Sequence, residues 1–361
     1  MPNITPELIR EKLDLVVKCT NDILYDKSVN DMHGKKVLAG DNPENYKYWD
    51  WPQGVQLFGI WSLYEKTRNP DYLEILEKYY QSQVKTIPAR NVNTAAPMLA
   101  LSFLAEHTGS KPYMDLCIDW ADWVMNGMTR TEDRGLQHIV VDRLNTGELW
   151  DDTLFMTVLF LANMGRILRR NDYLEEAACQ FLIHAKYLAD KKTGLWYHGF
   201  TFEGRHNFVN ALWGRGNCWV TAAIPIFLGI ARPGRAVYDF LQTTLEQQVK
   251  GLIPLQDSNG LWHTLLDDPS SYFETSAACG FGYGILKGIH DRILPEKYLP
   301  AAEAALAAVI GQINENGIVQ NVSAGTPMGR DSPDFYKKIP IRPMPYGQSL
   351  ALLFLSESLG R

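Results

Sequence analysis

The sequence has no excess of basic residues, because its 35 lysines and arginines are outnumbered by 41 aspartates and glutamates. A surface that binds nucleic acid usually carries a basic patch that contacts the phosphates. With a formal net charge of -6 at pH 7, the chain is not expected to bind nucleic acid. Low-complexity tracts and long runs of like charge are also absent. A hydrophobic content of 46% therefore predicts a folded globular protein.

Signals for secretion and membrane insertion are missing. Residues 1–12 are polar and lack the apolar segment of a secretory signal. The most apolar stretch, residues 219–231, is too short to span a bilayer and contains Pro225. No membrane partner is expected. The cysteines are odd in number and far apart, which indicates reduced thiols in a cytoplasmic protein rather than a disulfide framework; they are Cys19, Cys117, Cys179, Cys218 and Cys279.

Motifs for metals, nucleotides and thiol catalysis are also missing. The sequence has no CxxC pair and no HExxH motif, so neither a structural nor a catalytic metal site is expected. A glycine-rich phosphate loop after a strand is absent, which gives nucleotide binding no support. Cys218 and Cys279 have no partner histidine motif for nucleophilic catalysis. We therefore expect no cofactor and no metal.

What the sequence does contain is a loose repeat of helical hairpins. A chain of 361 residues is long for one ordinary core and suggests two domains or one large closed architecture. Apolar residues recur at helical spacing in paired segments, with short turns inside each pair. Twelve helices are predicted, at residues 4–24, 55–66, 72–83, 96–107, 113–125, 153–168, 173–189, 220–230, 237–249, 277–290, 298–313 and 347–359.

Alternate helices differ in composition, which predicts an all-α fold with inner and outer helices. The members after the long connections are rich in alanine, glycine and large apolar residues, whereas their partners have a charged face. Six inner and six outer helices fit a six-hairpin (α/α)6 barrel, or toroid, formed by a single domain over residues 1–361. A linear α-solenoid is the competing arrangement.

This arrangement predicts where a site lies. The long connections, at residues 85–95, 127–152, 193–217, 251–276 and 314–346, all lead into the first residues of inner helices. They would therefore meet at one end of the barrel, and long loops on a rigid scaffold often carry binding residues. Helix N-termini also favour anions, so a cleft at this end would suit an acidic substrate.

Tryptophans stand beside charged side chains at two of these helix entrances, residues 148–154 and 213–219. Aromatic faces pack against sugar rings, and carboxylates and guanidinium groups supply proton transfer and anion binding. Each residue also has an ordinary structural interpretation. Asp151 or Asp152 could cap the following helix, Arg215 could be a structural ion-pair partner, and His198 alone would usually be a packed histidine. The glycines beside Arg215 indicate close backbone approach or positive φ.

Four motifs together resemble the unsaturated rhamnogalacturonyl hydrolases of glycoside hydrolase family 105. The resemblance covers most of the chain, from about Tyr48 to the C-terminus. The run at residues 213–217 is fairly specific, whereas the Asp-Thr-Leu element is weak by itself. The motifs are Asn93-Thr94-Ala95-Ala96-Pro97, Leu149-Trp150-Asp151-Asp152-Thr153-Leu154, Trp196-Tyr197-His198-Gly199 and Trp213-Gly214-Arg215-Gly216-Asn217.

The resemblance implies both a fold and a mechanism. The family fold is the six-hairpin barrel, and its general acid/base is the aspartate before Thr-Leu, which falls on Asp152. That residue would hydrate the C4=C5 double bond of an unsaturated galacturonyl sugar from pectin and release the next sugar, rhamnose. Asn93 stands near the position of an assisting aspartate in related enzymes. The substrate-binding residues would be Tyr48, Asn93, Trp150, His198, Trp213, Arg215 and Trp219, with Arg215 pairing with the uronate.

The expected partner is thus a small unsaturated oligosaccharide, and the expected assembly is a monomer or a weak homo-oligomer. Two other functions stay open from the sequence. One is a sugar isomerase or epimerase on an α/α barrel, an activity that generally uses pairs of histidines at inner-helix ends. The other is an oligosaccharide-binding protein of the same fold without catalytic activity.

Overall fold

The computed structural model describes residues 4–26, 28–30 and 36–360, which form thirteen α-helices and two short strands. No helix in these ranges is long and apolar enough to cross a membrane. The helices are α1 (Pro6–Leu24), α2 (Trp51–Thr67), α3 (Pro70–Gln83), α4 (Val92–Thr108), α5 (Lys111–Asp122), α6 (Leu159–Leu168), α7 (Asn171–Leu188), α8 (Gly214–Ala231), α9 (Arg235–Leu252), α10 (Thr275–His290), α11 (Leu299–Gln312), α12 (Asp334–Lys337) and α13 (Pro345–Ser358).

Six of these helices form a closed ring. Helix α2 packs against α4, α4 against α6, α6 against α8, α8 against α10, and α10 against α13, which returns to α2. The last contact excludes the linear solenoid, because the ends of a solenoid do not meet. The predicted (α/α)6 barrel is therefore confirmed. The assignment of residues 1–361 to a single domain stays a prediction.

Sequence composition separates the inner ring from the outer helices. Nearly every residue of α8 from Gly214 to Leu228 is buried, as expected of a helix with neighbours on all sides. By contrast, α9 buries mainly one face, through residues such as Leu241, Leu245 and Val249. Helices α3, α5, α7, α9 and α11 pack outside the ring, and α1 packs against α13. One close approach in the ring requires glycine, since a Cβ on Gly54 would lie 2.5 Å from the backbone carbon of Ala96.

Several inner helices begin earlier than the sequence predicts. Helix α2 begins at Trp51 rather than residue 55, because the side chain of Asp50 accepts a hydrogen bond from the Trp51 amide. Helix α4 begins at Val92 rather than residue 96, since Asn91 and Thr94 form a reciprocal capping box. Polar residues that looked like the ends of loops are thus caps and first-turn residues of the inner helices.

The largest difference is at α8, which begins at Gly214 although the sequence predicts residue 220. The helix has no side-chain cap. Instead, the Gly214 amide donates to the carbonyl of Thr264, which lies on a neighbouring loop. Arg215 and Trp219 are therefore held by helical backbone, and their side chains have fixed directions.

The loops at the N-terminal end of the ring contain little regular structure. Strand β1 (Glu148–Trp150) pairs antiparallel with β2 (Gly199–Thr201), so that Trp150 lies opposite Gly199. Residues 138–143 form only an isolated bridge, between Val140 and Arg143. The pairing of β1 with β2 brings the predicted Trp150 and His198 motifs side by side.

Candidate active site

Asp151 and Asp152 are positioned by the end of β1. The Asp151 amide donates to the carbonyl of His198, which continues the pairing with the β2 segment. The carbonyl of Asp152 accepts hydrogen bonds from the amides of Phe155 and Met156 and so begins the helical turn that leads into α6. No side-chain cap is present on this turn. The backbones of the two aspartates make these contacts.

Asp152 is the more accessible of the two carboxyl groups. Its side chain is 16% exposed and lines an open cavity. Its Oδ1 lies 3.4 Å from Nδ1 of His138, a nitrogen that shares a 2.8 Å hydrogen bond with the hydroxyl of Thr153. The ring of His138 is stacked on Trp150, with ring centroids 4.1 Å apart. The acid thus projects into open space beside a flat aromatic pair.

Asp151 is in a different environment. It is fully buried, and neither carboxyl oxygen has a hydrogen-bond partner among the described residues. The carboxyl group lies against the first turn of α8, where a Cβ on Gly216 would clash with Oδ2 of Asp151. The close backbone approach predicted for the glycines beside Arg215 is therefore observed at this position.

Burial shifts the ionisation of both acids. It raises the pKa of Asp152 to about 7, and the positive charge of Arg215 opposes the shift. The pKa of Asp151 is raised well above its usual value, first by burial and then by the charge of Asp152. Two neighbouring carboxyl groups in a buried site disfavour double ionisation, so the pair retains a proton at neutral pH.

The two histidines of the site are neutral. Burial lowers the pKa of His138 to about 3, so its contact with Asp152 is not a charged ion pair near neutral pH. Burial also lowers the pKa of His198 well below its usual value. Nδ1 of His198 shares a 2.6 Å hydrogen bond with the hydroxyl of Tyr336, and its Nε2 is buried without a partner among the described residues.

The cavity at this end has a volume of about 350 Å³, and we call it the cleft. Helix entrances and the loop before α13 surround it. Five predicted site residues line it: Asn93, Trp150, Asp152, Trp213 and Trp219. Its other lining residues are Val29, Asn30, Asp50, Trp51, Pro52, His138, Val140, Val141, Asp142, Arg143, Ala324, Gly325, Thr326, Pro327, Arg342 and Met344.

Two other predicted site residues lie outside the lining. Tyr48 is half-buried, and its carbonyl accepts a hydrogen bond from the hydroxyl of Tyr79. His198 is behind the cleft, where its ring contacts Trp150 and Trp213 at centroid distances of 5.2 and 4.4 Å. His198 therefore supports the two tryptophans that line the cleft. The substrate-binding roles of Tyr48 and His198 stay predictions.

Arg215 is also outside the lining, and its guanidinium is occupied by the protein. The side chain is fully buried; Nη1 lies 3.4 Å from Glu274, and it donates to both the carbonyl (2.7 Å) and the hydroxyl of Ser323. Nη2 donates to the carbonyl of Ala324 and the hydroxyl of Thr326, each at 2.8 Å. This geometry supports the structural interpretation, in which Arg215 fastens the loop before α13 to the ring. It does not favour pairing of Arg215 with a substrate carboxylate.

Sequence reasoning missed several residues of this site. His138 stands in a run that looks like an ordinary strand, and Tyr336 and Arg342 lie almost 200 residues beyond the Asp152 motif. Sequence reasoning also missed the ion pair between Glu148 and Arg330, in which Nη1 of Arg330 lies 2.9 Å from Oε1 of Glu148. Because Glu148 also accepts a 2.9 Å hydrogen bond from Nε1 of Trp150, this ion pair holds Trp150 in place.

A larger cavity of about 530 Å³ lies at the opposite end of the ring, where the inner helices finish. We call it the far cavity. Aromatic residues such as Trp61, Phe103 and Tyr283 line it together with charged groups. Its charged groups are mostly paired, as in the contacts of Arg166 with Glu106 and of Lys66 with Glu357. The perturbed carboxyl groups are thus at the smaller cavity.

Comparison with known proteins gives consistent matches over almost the whole chain. The family model described as Glycosyl Hydrolase Family 88 matches residues 25–361. The Unsaturated rhamnogalacturonyl hydrolase YesR of Bacillus subtilis (strain 168) is 32% identical over 315 residues, which are 86% of this chain and 90% of that protein. An Unsaturated 3S-rhamnoglycuronyl hydrolase of Alteromonas sp. (strain LOR) is 30% identical over 216 residues, 58% of this chain and 51% of that protein.

A solved structure supports the same conclusion. The crystal structure of a possible member of the GH105 family from Klebsiella pneumoniae superposes with a TM-score of 0.91 and is 39% identical. The match covers 99% of this chain and 95% of that one. The resemblance to glycoside hydrolase family 105 drawn from the sequence motifs is confirmed.

Proposed function

Because this chain belongs to the family described as Glycosyl Hydrolase Family 88 and is a glycoside hydrolase, we propose that it hydrates the unsaturated uronyl end of galacturonyl-rhamnose oligosaccharides. Such substrates are products of lyase action on rhamnogalacturonan in pectin. The relative named Unsaturated rhamnogalacturonyl hydrolase supports this substrate class. The observation that carries the proposal is the carboxyl group of Asp152, which reaches the aromatic cleft with a pKa raised to about 7.

The reaction starts with a proton transfer. An unsaturated uronyl ring has a C4=C5 double bond, and its C5 bears both the ring oxygen and the carboxylate. The protonated carboxyl of Asp152 gives its proton to C4, and the electron pair of the double bond forms the new C4–H bond. Positive charge then develops at C5 and is shared with the ring oxygen. Asp152, now a carboxylate, is the base for the next step.

Water completes the reaction. A water molecule adds to C5 and loses a proton to Asp152, which restores the starting carboxyl and leaves a hemiketal. The hemiketal opens to a ketone at C5, which breaks the bond between C5 and the ring oxygen and leaves a hemiacetal at C1. This hemiacetal collapses to an aldehyde and releases the neighbouring sugar as a free alcohol. One substrate and one water thus give one keto-uronate and one rhamnose-ended product. No covalent bond to the protein is needed, so one carboxyl group serves in both steps.

The other groups of the cleft are consistent with a single acid. Asn93 lines the cleft near the position where related enzymes have an assisting aspartate, and an amide does not transfer protons in this way. Asp50 also lines the cleft, but its side chain caps α2. Asp151 is buried against α8 and outside the lining. Asp142 is a further acid of the lining, and we assign proton transfer to Asp152 because burial raises the pKa of this carboxyl group to about 7.

Aromatic side chains provide the binding surface. Trp150, Trp213 and Trp219 line the cleft while remaining almost fully buried in the protein, so their ring positions are fixed before substrate arrives. Fixed aromatic faces pack against the CH faces of sugars without losing much side-chain entropy. Near the acid, they also keep water away from the reacting ring except for the attacking molecule.

The direct test is incubation of the purified protein with unsaturated galacturonyl-rhamnose. We expect the ultraviolet absorbance of the conjugated double bond to disappear while free rhamnose is released in equal molar amount. Tight binding without loss of absorbance would instead support an oligosaccharide-binding protein. Rearrangement of a sugar without cleavage would support an isomerase. Either of these outcomes would reject the proposed function.

A further inference from the structure

A negatively charged substrate group needs a positive partner inside a cleft from which water is partly excluded. An unpaired carboxylate loses its hydration on binding and regains the lost free energy only through a nearby cation or several hydrogen bonds. Among the described residues, the cations that line the cleft are Arg143 and Arg342. The histidine of the lining, His138, is neutral because burial lowers its pKa to about 3.

Arg215, which the sequence motif favours for this role, is not available to a ligand in this arrangement. Its two terminal nitrogens already donate to oxygens of Ser323, Ala324 and Thr326. Its charge is also balanced by Glu274, and both side chains are fully buried. A substrate carboxylate would have to displace these contacts and open the loop before α13.

Arg342 differs from Arg215 in having fewer acceptors around its terminal nitrogens and no ion pair with the described residues, although Nε of both arginines is buried without a hydrogen-bond partner. Its backbone is fixed, because its amide donates to the carbonyl of Val322 at 2.9 Å. On the side chain, Nη2 donates to the carbonyl of Val29 at 3.2 Å, which restrains the guanidinium at the edge of the cleft. Its Nε is buried without a hydrogen-bond partner, and no acidic side chain of the described residues forms an ion pair with it. Within residues 4–26, 28–30 and 36–360, Arg342 is therefore a positioned cation without an acidic partner.

Arg143 is the weaker candidate. It is exposed, whereas Arg342 is half-buried. Solvent screens the attraction between an exposed guanidinium and a carboxylate, so such a pair contributes little to binding. A restrained and partly desolvated guanidinium also suits the planar, two-pronged geometry of a carboxylate better than a mobile one.

We propose that Arg342, rather than Arg215, binds the carboxylate of the unsaturated uronyl ring and selects acidic over neutral substrates. This inference rests on the proposed function and adds the residue that orients the ring. The carboxylate is attached to C5, so holding it fixes the neighbouring C4 relative to Asp152, which lines the same cleft. The N-terminal ends of the inner helices add a favourable potential for an anion in this position.

The test combines two substrates with two enzyme variants. The unsaturated galacturonyl-rhamnose acid carries a negative charge at C6, and its methyl ester does not. We expect Arg342→Gln to lower kcat/KM for the acid by about 10- to 100-fold, the usual loss for a hydrogen bond to a charged group. Activity on the ester should change much less. Because the ester also differs in intrinsic reactivity, the decisive quantity is the acid-to-ester ratio of the variant divided by that of the unaltered protein.

Arg143→Gln is the matched control, since it removes the other cation of the lining. Its acid-to-ester ratio should equal that of the unaltered protein. The proposal is wrong if Arg143→Gln, rather than Arg342→Gln, lowers the acid-to-ester ratio. It is also wrong if Arg342→Gln keeps the full ratio while thermal unfolding indicates an intact fold.

A binding measurement separates this proposal from the proposed function. Tryptophan fluorescence of the Asp152→Asn variant reports binding of the acid and of the ester without turnover. If Asp152→Asn binds the acid through Arg342 but the unaltered protein cleaves neither form, the proposed function is wrong and the carboxylate site is supported. Equal binding of acid and ester with and without Arg342→Gln would overturn the carboxylate site instead.

Discussion

The two ends of the barrel contain cavities that differ in volume and in how their charged groups are paired. The far cavity is the larger, at about 530 Å³, but most of its charged groups are paired; Glu357, for example, lies 2.6 Å from Nζ of Lys66. The cleft is about 350 Å³, yet beside it are two carboxyl groups with raised pKa values and an arginine that forms no ion pair with the residues that the structure describes. Unsatisfied charge, and not volume, distinguishes the end where the chemistry is expected.

The connections at the two ends explain this difference. At the far end, short turns join helices, as between α2 and α3, where Arg68 and Asn69 alone make the link. At the cleft end, the segments that precede α6, α8, α10 and α13 are long enough to bring side chains from distant parts of the chain together. Short turns mainly complete the packing, whereas long loops position functional groups on a rigid ring.

The largest effect should follow from removal of the acid in the cleft. We expect Asp152→Asn to lower the rate of chromophore loss on unsaturated galacturonyl-rhamnose by about 10²-fold or more, as for other general acid/base groups. Glu106→Gln, at the rim of the far cavity, is the matched control and should leave the rate unchanged. Loss of activity in both variants, or in neither, would contradict the assignment of the chemistry to the cleft.

Removal of the buried arginine should mainly affect stability. Arg215→Met leaves Glu274 buried without its positive partner, and breaking such a pair costs about 3–5 kcal/mol. Arg166→Met breaks the half-exposed pair with Glu106 at the far end and should cost no more than about 1 kcal/mol. Denaturant unfolding measures both values. Similar losses for the two variants would contradict the structural role of Arg215.

The raised pKa of Asp152 also predicts how stability depends on pH. The folded protein holds a proton on Asp152 up to about pH 7, whereas an unfolded aspartate releases it near its usual value of 3.8. The stabilisation is therefore complete below the unfolded pKa and is lost as the pH rises through 7. Between about pH 5 and pH 8 this contribution of Asp152 should decline by about 2–3 kcal/mol, and the decline should appear as the difference between the unfolding free energies of the unaltered protein and Asp152→Asn. Parallel pH profiles of the unfolding free energy for the unaltered protein and Asp152→Asn would show that the pKa of Asp152 is not raised.

A smaller effect is expected on activity. The first step needs the protonated carboxyl, so kcat/KM should decrease about tenfold per pH unit once the pH exceeds the pKa of Asp152, near 7. The decrease is measured by chromophore loss at several pH values, after thermal unfolding has confirmed that the protein is folded at each. A rate that increases through this range would mean that the ionised form of Asp152 starts the reaction.

The fold was predictable because its signal is repeated. Helical periodicity and the alternation of apolar with amphipathic segments recur in every hairpin. This repeated pattern predicted the ring of inner helices even where single helix boundaries were wrong. Those boundaries were wrong at α2 and α4 because polar residues such as Asp50 and Asn91 cap the helices from within segments that resemble loops. At α8, a carbonyl of a distant loop receives the first amide, which local sequence does not encode.

The site was predictable where its residues stand in the motifs at the helix entrances. Trp150 and Asp152 stand in one motif and do line one cavity. His138 and Arg342 come from other segments and meet them only after the ring closes, so no local pattern indicates them. The Arg215 motif is as conspicuous as the Asp152 motif, but its side chain is turned towards Glu274 and the loop before α13. A motif identifies an important residue without deciding whether it contacts ligand or protein.

The most direct test of the central claim compares the unsaturated disaccharide with its saturated counterpart, galacturonyl-rhamnose. Hydration needs the C4=C5 double bond, whereas ordinary displacement at C1 does not. We expect release of rhamnose from the unsaturated substrate only, in step with loss of absorbance, and no measurable release from the saturated one. Cleavage of the saturated disaccharide at a comparable rate would contradict hydration and, with it, the role assigned to Asp152.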